Sequence, residues 1–422
     1  MEGSVSRVPE HDEPYYVMYD TDFGLSGLAG ELSAMPVPYE DPQIGRDARR
    51  LLETSLPDDT LRTLWLAATG GRFDPADHGT GTRDWLRRTS EECPPPERRT
   101  SPTSTKYLST IPSGFPPHPA KPEEEVRDAV LAEIRATEAE PSGAALPPDA
   151  IPALRQAVAQ AGADLGFRLF LRTLKAYAVE VGREQYDRFL ALSDRFEYPY
   201  AVIRDELNVA WPPVDTTRRE TDGDFGLSEL TERFAGEWHE ATAEEVVRQA
   251  AACDHVRQAP GTAAAVLLED SLRLLESPLS ADMLTTLWLA ASDGGYAIDR
   301  LGIDVRHWLG QIAEVCRERL RDAAPAGRPV PPPSVRVDLA EPVLRELAEV
   351  PPGHPIAGSA VLEALAQVVS QVDPDLGFRL FLRVLQVLFV PLKAEQYARY
   401  EAIGERLGYG EFHVSNVEFL AQ

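Results

Sequence analysis

Apolar residues recur along this chain at helical spacing. Leu61, Leu64, Trp65 and Ala68 stand at i, i+3, i+4 and i+7, which places them on one face of a helix. Leu284, Leu287, Trp288 and Ala291 copy the pattern. The first of these helices is preceded by Pro57 with Asp58 and Asp59, the second by Ser280 and Asp282. Both are helix-start chemistry, because proline has no donor to lose in the first turn and Ser or Asp accepts free backbone N–H groups. Gly70-Gly71 and Gly294-Gly295 supply the stops. A further helix is predicted over Phe167, Phe170, Leu171 and Leu174, and again over Phe378, Phe381, Leu382 and Leu385. Tyr186, Phe189 and Leu190 mark another, matched by Tyr397, Tyr400 and Glu401; aromatics so spaced read as core. Strict alternation is scarce, and its best case is the short stretch Glu411 to Val417. The expected fold is all-α.

The same words return in the same order. Asp22-Phe23-Gly24-Leu25-Ser26 recurs 202 residues later as Asp224-Phe225-Gly226-Leu227-Ser228. Leu64-Trp65-Leu66-Ala67-Ala68 recurs after 223 residues, as do Trp85 (at Trp308) and Cys93 (at Cys316). Asp164 to Arg172 recurs letter for letter 211 residues on as Asp375 to Arg383, and Glu184-Gln185-Tyr186 recurs at the same shift. A duplicated unit with insertions and deletions between its elements explains this order. The expected organisation is two homologous helical units in tandem, 1–211 and 222–422, joined by a Pro-rich linker at 212–221. Each unit should hold about seven to nine helices. Pro-rich breaks at 94–122 and 323–333 would divide each unit further.

Within the nine-residue repeat, Asp164, Arg168 and Arg172 are spaced by four, as are Asp375, Arg379 and Arg383. One reading is an exposed Asp–Arg pair one turn apart, complementing the helix dipole and contributing about 0.5 kcal/mol. The other is an arginine pair that clamps a partner's carboxylate. The first is preferred, since exposed pairs of this kind are common.

Composition narrows the function classes. The chain has 422 residues, 43% hydrophobic and 26% charged, with a net charge of −26. Before Pro213 there are 35 acidic and 23 basic residues, −12; from Pro213 on there are 33 and 19, −14. The charge therefore belongs to both halves. A field of this sign repels nucleic-acid phosphates and anionic lipid and attracts a basic protein. Neither direct nucleic-acid binding nor membrane binding is expected. The three cysteines, Cys93, Cys253 and Cys316, are few, odd in number and far apart, so no disulfide framework or CxxC metal site is expected. The N-terminal stretch is acidic and lacks an apolar core, unlike a signal peptide. The strongest apolar stretch, Phe378 to Leu392, is short and carries Arg379 and Arg383. A cytoplasmic location is expected.

The catalytic motifs tested are incomplete. Asp-Phe-Gly appears twice, but the chain has four lysines and lacks the Gly-rich loop and His-Arg-Asp loop of a kinase. Gly79-Thr80-Gly81 lacks a third glycine, and Gly24-Leu25-Ser26-Gly27 ends in Leu28 rather than a nucleophile elbow. No two of the eight histidines lie within one helical turn, and Cys253-Asp254-His255 offers at most two zinc ligands. The features common to both copies read as core positions and helix starts, with no shared polar cluster. No catalytic, cofactor-binding or metal residue is assigned, no cofactor is expected, and the partner-binding residues are left open.

The end of the chain, Glu395-Gln396-Tyr397 through Gly404-Glu405-Arg406-Leu407-Gly408-Tyr409 to Val417-Glu418-Phe419-Leu420, resembles the C-termini of small helical bacterial immunity-type proteins. The first unit departs from that pattern, with Phe196-Glu197-Tyr198-Pro199 where the second has Leu407-Gly408-Tyr409-Gly410. The resemblance implies a non-enzymatic protein that occludes a cognate toxin, and the acidity would suit a basic one. Two alternatives stand beside it: a two-site scaffold or regulator gripping a symmetric partner, and an enzyme whose site follows no familiar motif.

Overall fold

The computed structural model describes residues 24–31, 42–93, 123–140, 145–199, 201–214, 216, 223–235, 241–323 and 335–421. The chain splits into two units, Met1–Trp211 and Pro212–Gln422. Much of the expected linker 212–221, the Pro-rich break at 94–122 and most of that at 323–333 lie outside the described residues, as do Asp22 and Phe23.

In the first unit the described helices are α1 (Gly24–Glu31), α2 (Pro42–Glu53), α3 (Asp58–Ala68), α4 (Thr82–Glu92), α5 (Glu123–Ala139), α6 (Ala150–Ala161), α7 (Ala163–Ala176), α8 (Arg183–Phe196) and α9 (Ala201–Arg204). Two three-residue strands, β1 (Glu180–Gly182) and β2 (Asn208–Ala210), pair in parallel with Val181 opposite Val209. The described helices of the second unit are α10 (Gly226–Ala235), α11 (Ala243–Ala252), α12 (Thr262–Glu276), α13 (Ala281–Ala291), α14 (Val305–Ala323), α15 (Ala340–Ala348), α16 (Ala360–Gln371), α17 (Pro374–Val387), α18 (Ala394–Leu407) and α19 (Glu411–Ser415). Ten helices in the second unit exceed the seven to nine expected. The stretch Glu411 to Val417, read as a strand, contains α19 instead. His413, Val414 and Val417 are its buried residues, a spacing of i, i+1 and i+4 that one helical face satisfies and an alternating strand does not.

The nine-residue repeat opens the central helix of each unit. In α7 every residue from 165 to 175 is buried, and in α17 every residue from 374 to 385. A helix buried all round is a core helix rather than an amphipathic surface one. Helices α1, α3, α5 and α6 pack on α7, and α10, α13, α15 and α16 on α17. The glycine of the repeat allows a close crossing with the preceding helix. A Cβ on Gly166 would collide with Val158 of α6, and one on Gly377 with Val369 of α16.

The helices carrying Trp65 and Trp288 take their expected bounds. Pro57 precedes the first turn of α3, and the Ser280 hydroxyl accepts the Met283 N–H at the start of α13. The tryptophans anchor satellite aromatic clusters: Trp65 lies 4.3 Å from Trp85, and Trp288 lies 5.5 Å from both Trp308 and Phe234.

Candidate functional site

The most concentrated chemistry in each unit is a buried ionic network on the central helix. In the first unit Arg168 is fully buried. Its Nη1 and Nη2 donate to the two carboxylate oxygens of Asp47 at 2.5 and 2.9 Å. Its Nε donates to Asp164 Oδ1 at 3.0 Å. The Tyr198 hydroxyl also donates to Asp164. Asp47 accepts further hydrogen bonds from the Leu25 N–H at 3.1 Å and from Gln43 Nε2 at 2.8 Å.

The second unit builds the same arrangement. Arg379 Nη1 and Nη2 donate to Asp270 at 2.9 and 2.7 Å, and Nε donates to Asp375 at 3.3 Å. The Tyr409 hydroxyl donates to Asp375 at 2.5 Å. Asp270 accepts the Leu227 N–H at 2.9 Å. Arg379 also donates to the Phe225 carbonyl at 3.1 Å and lies over the Phe225 ring.

Each carboxylate therefore takes a bidentate guanidinium and a first-turn N–H of a neighbouring helix, so a helix start is docked onto an ion pair. The glycine of Asp-Phe-Gly makes that approach possible. Gly24 and Gly226 have φ of +63° and +65°, and a Cβ on either would meet the paired carboxylate. Asp224 of the second triplet serves its own turn, accepting the Phe225 N–H and the Ser228 hydroxyl. The triplet thus begins a helix and docks it.

Electrostatics follow from burial and pairing. Burial alone would lower the Arg168 and Arg379 pKa values, but the facing carboxylates raise both well above the ordinary arginine value. Burial would raise the Asp164 carboxyl; the Arg168 charge and the hydrogen bonds from Arg168 and Tyr198 hold it below the usual range. Burial, above all, raises the Tyr198 hydroxyl. Arg168, Asp47, Asp164 and Tyr198 are committed to one another, with half-buried Asp164 also facing Arg50 at 3.5 Å, so the network positions helices.

Both readings of the Asp–Arg spacing are corrected here. Arg168 and Arg379 are inaccessible to a partner; each does pair with the Asp one turn before it, but from inside the protein, with Asp375 nearly buried and Asp164 half-buried. The residues also part company: Arg172 reaches Glu206 at 2.7 Å, whereas Arg383 donates to the Ala291 carbonyl and Gln386. The expectation of no shared polar cluster is likewise overturned. Asp47 and Asp270 keep the 223-residue shift of the nearby Trp helix, and Tyr198 and Tyr409 keep the 211-residue shift; those alignments were the available signal. A second shared pair was missed in the same way. Arg188 binds Glu133 and Arg399 binds Glu346, each through Nε at 2.6 Å. Gln185 and Gln396 of the Glu-Gln-Tyr triplets hydrogen-bond the carbonyls of Glu133 and Glu349.

The second unit adds His413 of α19 to its network. Its Nδ1 donates to the Gly223 carbonyl at 3.2 Å and lies 3.7 Å from Asp224. The ring packs on Tyr409 and Phe225 at 4.3 and 5.0 Å. Burial, with Arg379 adding to it, outweighs Asp224 and Asp375 and depresses its pKa below the ordinary 6.5. The unfolded chain then binds the proton more readily than the folded one. Stability conferred by neutral His413 is present above pH 6.5 and lost as pH falls through the depressed value. Thermal melts between pH 7.5 and 5 should show a falling Tm, and His413→Gln should flatten that slope. An unchanged slope in the variant would assign it to other groups.

Elsewhere the sequence candidates take structural places. Asp254 of Cys253-Asp254-His255 accepts the N–H groups of Gly261 and Ala263, and Trp238-His239-Glu240 lies outside the described residues. Among the described residues no group of three His, Cys, Asp or Glu is placed to hold a metal ion, and no helix is long and apolar enough to cross a membrane. The three cysteines form no disulfide, and burial pushes the Cys316 thiol up to about 12. A small cavity in the second unit, lined by Leu227, Leu274, Leu287, Trp288 and Leu309 with Thr231 as its one polar residue, is a packing void in character. Comparison with family models, curated proteins and solved structures finds no match.

Proposed function

We propose that the chain consists of two diverged copies of one helical unit and works as a non-enzymatic, acidic protein-binding protein. Its most concrete form is a cytoplasmic immunity protein that occludes a basic toxin domain. The observation that carries this reading is the use made of the repeated polar residues. Asp164, Arg168, Gln185 and Arg188, with Asp375, Arg379, Gln396 and Arg399, are spent on internal pairs that hold helices together. The chain as a whole carries a net charge of −26, which steers a basic protein toward it.

A two-site scaffold is the second reading, favoured by the occurrence of the same buried network in both units. It requires two equivalent sites per chain. A tagged full-length chain, used to capture partners from extracts of its native cell at low and moderate salt, tests both. One stoichiometric basic partner whose association rate falls by about tenfold or more between low and high salt is the expected result. A salt-independent rate would remove the electrostatic argument, and two equivalent sites would favour the scaffold.

A further inference from the structure

The helix α17 ends at a turn that glycine usually occupies, yet here the residue is phenylalanine. Phe389 has φ of +51°, the left-handed region that a bulky side chain disfavours. Its N–H donates to the Gln386 carbonyl, and the Val390 N–H donates to that of Leu385, so the turn is fixed by the backbone. The ring is not buried in compensation. Phe389 is 72% exposed, Phe419 is 60% exposed and Leu388 is 38% exposed. The two phenyl rings meet edge to face at 6.2 Å.

The first unit closes the same turn with Tyr177 and Ala178 where the second has Leu388 and Phe389. Ala178 stands 211 residues before Phe389 with φ of +46°, and its carbonyl accepts the side-chain amide of Asn208 at 2.9 Å. Asn208 stands 211 residues before Phe419. The left-handed turn is common to both units, so an alanine–asparagine pair in one corresponds to an exposed aromatic pair in the other. Two exposed phenyl rings where the other unit has small and polar residues form the kind of apolar surface kept for binding rather than for stability.

The rim is acidic. Glu418 adjoins Phe419, and beside burial, the larger cause, the charges of Glu401 and Glu418 raise the Tyr397 hydroxyl's pKa. The segment also carries Lys393, but Arg399 is turned to Glu346 and Glu349, and Arg406 to Asp338. A second copy of a chain with charge −26 would be repelled. We propose that Leu388, Phe389 and Phe419 form the apolar anchor of a docking surface for a basic protein segment that inserts an apolar side chain between its cations. The proposal rests on the binding-protein reading above and adds the place and the chemistry of the contact.

The test uses the full chain and a fluorescein-labelled amphipathic helical peptide of leucine and lysine, read by fluorescence anisotropy at low salt. The parent should bind it, and a matched peptide of leucine and glutamate should not bind. The double variant Phe389→Ala, Phe419→Asn, which installs the first unit's residues, should weaken binding at least about tenfold. Phe389→Gly should weaken binding too while raising Tm by about 2–4 °C, because it relieves the left-handed strain. Unchanged peptide binding in the double variant would overturn the proposal. So would a lower Tm for Phe389→Gly, which would make the ring structural, or a parent dimer that the double variant dissociates. A native partner held equally by parent and double variant would overturn this surface while leaving the proposed function standing.

Discussion

Arg379→Met should destabilise the second unit by about 3–5 kcal/mol, measured as a shift in the urea unfolding midpoint at constant slope. The magnitude comes from what is left behind. Asp270 is buried, and Arg379 gives it two of its hydrogen bonds, at 2.9 and 2.7 Å. Without the guanidinium its charge has only the Leu227 N–H, and an uncompensated buried carboxylate is far costlier than the loss of one hydrogen bond. Adding Asp270→Asn to the same chain should recover a large part of the loss. The amide is neutral, and its oxygen still accepts from Leu227. Arg379→Lys should not rescue, because one ammonium cannot reproduce the fork that also reaches Phe225 and Asp375. If Arg379→Met stays within about 1 kcal/mol of the parent, the network is not what docks α10 onto α17.

The positions of these helices were legible in the sequence because apolar spacing and caps are local properties. Pro57, Ser280 and the glycine pairs bound their helices as the residues suggested. What spacing could not show was environment. The repeat of four in Asp164 and Arg168 does put their side chains in contact, but the partner that decides the meaning, Asp47, is 121 residues away. A pattern read along one helix cannot tell an arginine facing water from one facing a carboxylate on another helix. The arginine-rich face of α7 looked polar and therefore outward, and tertiary pairing turned it inward.

Phe389 was hidden for a related reason. From Phe378 to Leu392 the chain reads as one apolar stretch; Pro391 signals that α17 must stop, but no glycine marks the left-handed turn at Phe389. The left-handed turn is visible only in the backbone. His413 was hidden by alternation: a five-residue helix with two adjacent buried residues resembles a strand when only its apolar letters are read. In both cases the local pattern fails where backbone conformation and tertiary packing depart from it.

The glycine of the second Asp-Phe-Gly should be as sensitive as the arginine it faces. Gly226→Ala combines two penalties. The residue has φ of +65°, and the new Cβ would collide with Asp270 Oδ2 while lying 3.0 Å from Arg379 Nη1 and 3.1 Å from Val266. The left-handed conformation alone costs alanine roughly 1–2 kcal/mol. The carboxylate cannot swing away, since both its oxygens are held by one guanidinium, so the total should approach about 3 kcal/mol. Gly294→Ala separates the two contributions. Gly294 has nearly the same φ, +66°, with open space where its Cβ would go, so it should cost only the conformational part. Urea unfolding of the two variants side by side then reads the steric contribution as their difference. Equal losses would mean that the backbone angle alone selects glycine at position 226. A clearly larger loss for Gly226→Ala would tie the repeated triplet to the buried ion pair, and so account for a kinase-like motif by helix docking.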